Sequence, residues 1–332
     1  MHSQKMENEI NKRYYGIDIL KIVSAFLVVF YHLGQLDFGV NNLESYVPNG
    51  NYLIYTLTAM SIPIFFMVNG SLLLNKNYDI KNILWKIFKL GLLIVVWSIV
   101  GFPSWFLKTL IILYCIYPFL KWAMDEKRYL LYIIVAGLII FPDIYNLLVS
   151  MAKAMVLDNI NVPSIRGTMV SELPRIGLFT MYSIPLFILG ALQKRENRKN
   201  SIYVNMLLLF CGVSLCLFES ITITRYTLKL HDSGNGNFPT VGALMMAVGM
   251  FNMLYDIQVG AKAQKLIRFL SNNVLIVYIL HSAIIRFLRG TILVDTISLV
   301  ESIFISAMIY VVCTLVGTVM SKIPLIKELA KI

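Results

Sequence analysis

Gly16-Ile17-Asp18-Ile19-Leu20-Lys21-Ile22-Val23-Ser24-Ala25-Phe26-Leu27-Val28-Val29-Phe30-Tyr31-His32 makes up most of the first apolar run of this chain, which we bound at 17–36. A helix needs about 20 mainly apolar residues to cross the hydrocarbon of a bilayer. Further runs follow at 52–74, 83–101, 104–121, 129–145, 173–193, 202–219, 240–256, 268–288 and 299–320. The sequence therefore predicts an all-α fold, a polytopic membrane bundle of about ten transmembrane helices, built as a single integral membrane domain over 1–332. Composition points the same way. Of 332 residues, 58% are hydrophobic and 14% charged, and the mean hydropathy is +0.73. Soluble domains average about 45–50% apolar and about 25% charged. So large an apolar excess cannot be hidden in one soluble core. A soluble enzyme, a disordered chain and a nucleic-acid reader are excluded.

Charge sets the orientation. Lys and Arg total 29 against 18 acidic residues, a net +11. In membrane proteins these cations collect in cytoplasmic loops. With a cytoplasmic N-terminus, 21 of the 29 fall on inside segments and 8 on outside ones. Both termini are thus expected in the cytoplasm. The first run lacks a small-residue cleavage site and reads as a retained span. Phe102-Pro103 must form a tight turn between the third and fourth runs. Residues 145–160 are amphipathic and too short to span, which suits an interfacial or re-entrant segment. Residues 220–239 read as a polar loop. Cys115, Cys211, Cys216 and Cys313 lie in apolar runs without CxxC spacing, so neither a disulfide framework nor a metal site is expected.

Titratable residues inside a span are costly and are functional candidates by default. Lys21 and His32 are eleven residues apart, about three helical turns, so they share a face roughly 16 Å apart along the axis. Their ordinary reading is snorkelling for Lys21 and packing for His32. His281, in Val277-Tyr278-Ile279-Leu280-His281, lies about as deep in the ninth run as His32 in the first. Lys86 and Lys89 share one face at the cytoplasmic end of the third run, as membrane anchors or as a phosphate clamp. Asn69-Gly70-Ser71 is a polar patch at the inner end of the second run, which Pro63 interrupts. It serves either close packing or the lining of a cavity. Trp105 and Trp122 suit an aromatic belt.

These stretches together resemble the acyltransferase 3 family of integral membrane O-acyltransferases. Lys21-x10-His32 resembles the family's basic-x10-His motif. Ile62-Pro63-Ile64-Phe65-Phe66-Met67-Val68-Asn69-Gly70 resembles its Pro-x-Phe-Phe-x-x-Ser-Gly stretch. Ser104-Trp105-Phe106-Leu107 and Leu113-Tyr114-Cys115-Ile116-Tyr117-Pro118 resemble its Trp-Phe-Leu…Tyr…Pro helix, and Tyr278-Ile279-Leu280-His281 its Tyr-Leu-x-His. Lys86-x-x-Lys89 resembles its basic pair. Lys21 stands where Arg is commoner, Asn69 replaces Ser, and the pair is Lys-Lys rather than Arg-Arg.

The resemblance implies acetyl-CoA as acyl donor on the cytoplasmic side and a hydroxyl of a cell-surface or lipid-linked glycan as acceptor outside. It implies a stand-alone form without an appended esterase-like domain. Transfer is then completed in the bundle or with a separate extracytoplasmic acyl-carrying partner. The expected location is a bacterial cytoplasmic membrane. His32 and His281 are the expected catalytic residues, and Lys21, Lys86, Lys89 and Asn69 the donor-binding ones, with no metal. His32 acts either as a general base or as an acyl carrier. The competing reading is a secondary transporter or flippase of a glycan or small metabolite, and a sensor or scaffold is a third. Asp18, Glu219, Asp256 and Glu301 near run ends, and the lack of internal repeats, weigh against ion coupling.

Overall fold

The computed structural model describes residues 13–38, 42–101, 104–155, 175–196, 200–231, 240–291 and 296–323. Both extreme termini, the Phe102-Pro103 turn, residues 156–160 of the amphipathic segment and 232–239 of the polar loop lie outside the described residues. Among the described residues the chain is helical, with one isolated parallel bridge, Leu36 to Ile297. A lipid-spanning chain must bond its own backbone, and helices do so within one segment.

The first run forms α1, Tyr15–Leu33. The second forms α2, Gly50–Thr56, a 3-10 turn at Leu57–Met60, and α3, Ser61–Leu73. Pro63 has no N–H to give the preceding turn, which accounts for the break. The third run is α4, Ile80–Trp97. The fourth is broken: α5, Trp105–Cys115, and α6, Tyr117–Glu126, meet at a 56° bend. Pro118 at the start of α6 favours a new helix over continuation. The fifth run is α7, Arg128–Val135, joined through a π turn at Ala136–Ile140 to α8, Phe141–Met155. The segment from 145 is therefore helical to Met155 and continues α8. After it come α9, Arg175–Glu196, and α10, Ile202–Thr227, which carries the helix into the expected polar loop. The chain continues as α11, Val241–Leu254. The ninth run splits into α12, Ala261–Ser271, and α13, Val274–Thr291; α14 is Leu299–Met320.

By length and composition, six helical segments among the described residues can cross a membrane, or seven if the bent α5–α6 pair counts as one span. Lys81, Lys86 and Lys89 keep α4 too charged to qualify by composition, and α11 is apolar but short.

α1 is the hub, packing against α3, α11, α12, α13 and α14. Its Ala25, Val28 and Val29 join one buried cluster with Phe66, Leu186 and Val277, while Ile17 and Leu20 join a second with Met67 and Phe251. Ser24, fully buried, donates to the Ser61 carbonyl and ties α1 to α3. Away from this centre the helices turn apolar side chains outward. Val300, Phe304, Met308, Val311 and Leu315 on α14 and Tyr203, Met206, Leu207 and Phe210 on α10 are exposed, a surface suited to lipid.

The tightest crossing is α3 against α9. Gly70 lies on the Phe187 carbonyl and Gly190 on the Met67 carbonyl, backbone against backbone. Without hydrophobic drive in lipid, small residues that let helices touch supply the packing. A methyl at either glycine would overlap a carbonyl oxygen. Gly70→Ala should therefore lower stability by about 1–3 kcal/mol, read as a lower melting temperature and yield in detergent. Gly91→Ala on α4, where a Cβ meets open space, should be neutral or stabilising by up to ~1 kcal/mol.

Candidate active site

Residues of α1, α3, α4, α5, α9, α12 and α13 line a cavity of about 900 Å³. Its charge is one-sided. Arg13, Lys21, Lys76 and Lys194 line it, with Asp18 as its carboxylate. That carboxylate is already taken: Arg13 Nε bonds Asp18 Oδ2 at 2.5 Å. Arg13 Nη2 also donates to Ser271 Oγ at 3.0 Å and Asn272 Oδ1 at 2.8 Å, which fastens the start of α1 to the α12–α13 junction. Lys21 makes no ion pair among the described residues. Lys194 sits 5.0 Å from the Tyr14 ring centre. A concave surface carrying this much uncompensated positive charge favours a polyanion.

Of the sequence candidates, Lys21 and Asn69 line this cavity. Asn69 Nδ2 donates to the Phe65 carbonyl at 2.8 Å, and its Oδ1 bonds no described residue. Lys86 and Lys89 do not line it. Lys86 lies 5.3 Å over the Tyr78 ring and Lys89 5.7 Å over that of Trp85, on the flank of α4. The cations that do reach the cavity beside Lys21 are Arg13, Lys76 and Lys194. In the sequence their charges merged with the cytoplasmic bias. The available signal was position, since Lys76 lies between Asn75 and Asn77 at the end of α3 and Lys194 is in the last turn of α9.

The cavity lining reaches Phe65, Phe106 and Tyr278. These three rings form one layer, with centroids 5.7 Å apart for Phe65–Phe106 and 5.3 Å for Phe106–Tyr278. Tyr278 in turn lies 6.2 Å from the His281 ring. His281 and His32 are on the far side, outside the lining, with ring centroids 5.2 Å apart. The two histidines at similar depth thus meet.

Their surroundings differ. His281 is 1% exposed. Its Nδ1 lies 2.9 Å from the Val277 carbonyl and its Nε2 3.2 Å from Ser282 Oγ. A carbonyl only accepts, so Nδ1 carries the proton and Nε2 accepts from the serine hydroxyl in the neutral ring. Both nitrogens are occupied. The His32 ring is exposed, bonds no described residue through its nitrogens, and packs against Tyr31 at 5.2 Å and His281. Gly34, at φ 47°, ends α1 in the left-handed region one residue after Leu33. Chemically the pair offers one available imidazole backed by one that is held fixed.

Set against known families, residues 14–104 and 102–321 match the model described as "Acyltransferase domain". No curated protein and no solved structure matches the chain.

The two histidines should separate in stability. His281→Ala removes a buried ring with both nitrogens bonded and should cost on the order of 1–3 kcal/mol. His32→Ala should cost less than about 0.5 kcal/mol, as for a surface side chain. Thermal unfolding of the two variants in one detergent checks this.

Proposed function

We propose, for a chain that belongs to the acyltransferase 3 family, that it moves an acetyl group from cytoplasmic acetyl-CoA to a hydroxyl of a cell-surface or lipid-linked glycan. The protein is a membrane-embedded acyltransferase; the donor, the acceptor, the site roles and a bundle of ten spans with cytoplasmic termini are our reading. One observation carries it. A single helix, α1, presents Lys21 to a basic cavity at one end and a His32 ring with unbonded nitrogens at the other, with a layer of aromatic rings between.

Coenzyme A suits this arrangement because its charge and its reactive group lie at opposite ends of a long, thin molecule. Its phosphates belong with Lys21, Lys76, Lys194 and Arg13. The neutral pantetheine arm then lies along α1, and the thioester passes Tyr278 to reach His32. In the reaction the acceptor hydroxyl oxygen attacks the thioester carbonyl carbon. Nε2 or Nδ1 of His32 takes the hydroxyl proton as the C–O bond forms. The C–S bond breaks, and the coenzyme A thiolate takes up a proton as it leaves. His281, with both nitrogens engaged, is the fixed wall that sets the His32 ring. An acyl-His32 intermediate is the alternative course.

The transporter reading has less support. Buried acids can carry coupled protons, but Asp18 is bonded to Arg13, Asp143 accepts the Val241 N–H at 2.7 Å, and Glu219 lies 3.6 Å from His231. Asp143 also sits inside the continuous α7–α8 segment. It charges the N-terminus of α11, a structural task for a carboxylate.

Binding of labelled acetyl-CoA to the purified protein is the first test, and its absence would remove the reading. Lys76→Gln with Lys194→Gln should weaken that binding, each lost phosphate contact costing about 1.5–3 kcal/mol. Lys86→Gln with Lys89→Gln should weaken it less, and the reverse order would return the phosphate site to α4. His32→Ala should keep most donor binding and lose transfer by about 10²–10⁴-fold. Near-normal transfer by that variant would move the chemistry off α1.

A further inference from the structure

The mechanism above gives Arg289, a cation near His32, no task. Arg289 lies on α13 eight residues beyond His281, about 12 Å further along the axis and on a nearby face. Its Nη2 donates to two carbonyls at the end of α1, those of His32 at 2.8 Å and Leu33 at 2.6 Å. Gly34 ends the helix there, so these carbonyls have no partner further along the helix. Nη1 and Nε of Arg289 bond no described residue, and no described carboxylate pairs with it. The residue is exposed.

The guanidinium is thus pinned by one corner over the turn that carries His32, with its remaining donors unused. Pinning also orients it. The lipid-suited flank of α13 is marked by exposed Phe287, about 200° around the helix from Arg289. Arg286, exposed one turn earlier, adds a second positive charge to the same end. Capping two carbonyls does not require a permanent charge, since water or a hydroxyl can satisfy them at a membrane surface. What a guanidinium adds is a planar fork that matches carboxylate and phosphate oxygens in pairs.

We propose that Arg289 selects the acceptor: it binds a carboxylate or phosphate on the glycan and so brings a hydroxyl of that glycan to His32. The acceptor is then an anionic glycan rather than a neutral one. This rests on the acyl-transfer reading above and names the chemical class that reading leaves open.

The test uses the full chain in maltoside micelles, which supply no phosphate headgroups. Probes are galactose oligomers, galacturonate oligomers of equal length, and glycerol-phosphate oligomers. The wild type should bind at least one anionic probe tenfold or more tighter than the neutral one. That preference should shrink as salt rises from about 50 to 200 mM. Arg289→Gln should erase it, and Arg289→Lys, which keeps the charge without the fork, should retain part. Acetyl-CoA binding and melting temperature show whether each variant is folded; if Arg289→Gln is not, Arg289→Lys and the wild-type salt dependence decide. Equal binding of neutral and anionic probes, no binding of either anion at millimolar concentration, or a preference that survives Arg289→Gln overturns the proposal. So does a preference that vanishes when phosphatidylglycerol surrounds the protein in nanodiscs, because the lipid headgroup is then the occupant. Labelled acetyl transfer is read in parallel. Arg289-dependent anion binding without any transfer sinks the acyl-transfer reading and leaves the anion site standing. Transfer with an anionic-to-neutral kcat/KM ratio unchanged in Arg289→Gln does the opposite.

Discussion

A peptide group left unpaired in hydrocarbon costs several kcal/mol, and this constraint shapes the bundle. It forces the chain into helices and leaves backbone groups open only where a helix ends or breaks. The 3-10 turn before Ser61, the bend at the α5–α6 junction and the left-handed Gly34 are such places. Each lies beside a group already described: Ser61 receives Ser24 from α1, the bend follows the helix bearing Phe106, and the end at Gly34 exposes the carbonyls that Arg289 takes. α1 takes part in two of them, packing against the 3-10 turn and itself ending at Gly34.

Much of this was legible in the chain. α1 and α14 fall within a few residues of the apolar runs at 17–36 and 299–320. Hydropathy sees contiguity but not direction, however. It joined α5 to α6 across a bend and α12 to α13 across a break, because neither interrupts the apolar pattern strongly. It ended α10 at 219, where Glu219 and Ser220 begin a polar stretch, although the helix runs to Thr227. Burial explains the error: Glu219, Ser220 and Thr224 are all buried, and Ser220 bonds Tyr52 and the His231 carbonyl. Polar side chains satisfied inside the bundle look like a loop when read in one dimension.

The site was partly legible for the same reason. Spacing along one helix put Lys21 and His32 on a common face, and His281, at similar depth in its own run, lies with its ring 5.2 Å from that of His32. Which lysines face inward is a question of rotation and of neighbouring helices. Lys86 and Lys89 carry a motif-like spacing, yet they rest on Tyr78 and Trp85. Lys76 and Lys194 carry no pattern; both line the cavity beside the junction where α3 and α9 touch at Gly70 and Gly190.

The layer of Phe65, Phe106 and Tyr278 has an electrical meaning as well. In the proposed orientation, water filling the cavity would carry the cytoplasmic potential inward to its end, and the membrane voltage would fall mostly across the thin layer beyond it. One elementary charge moved through 100 mV costs about 2.3 kcal/mol. A donor that keeps its phosphates among Lys21, Lys76 and Lys194, and passes only an uncharged thioester beyond the rings, moves no charge through that drop. Transfer built this way is electrically silent. On the proposed reading, the membrane potential then neither drives nor opposes the transfer.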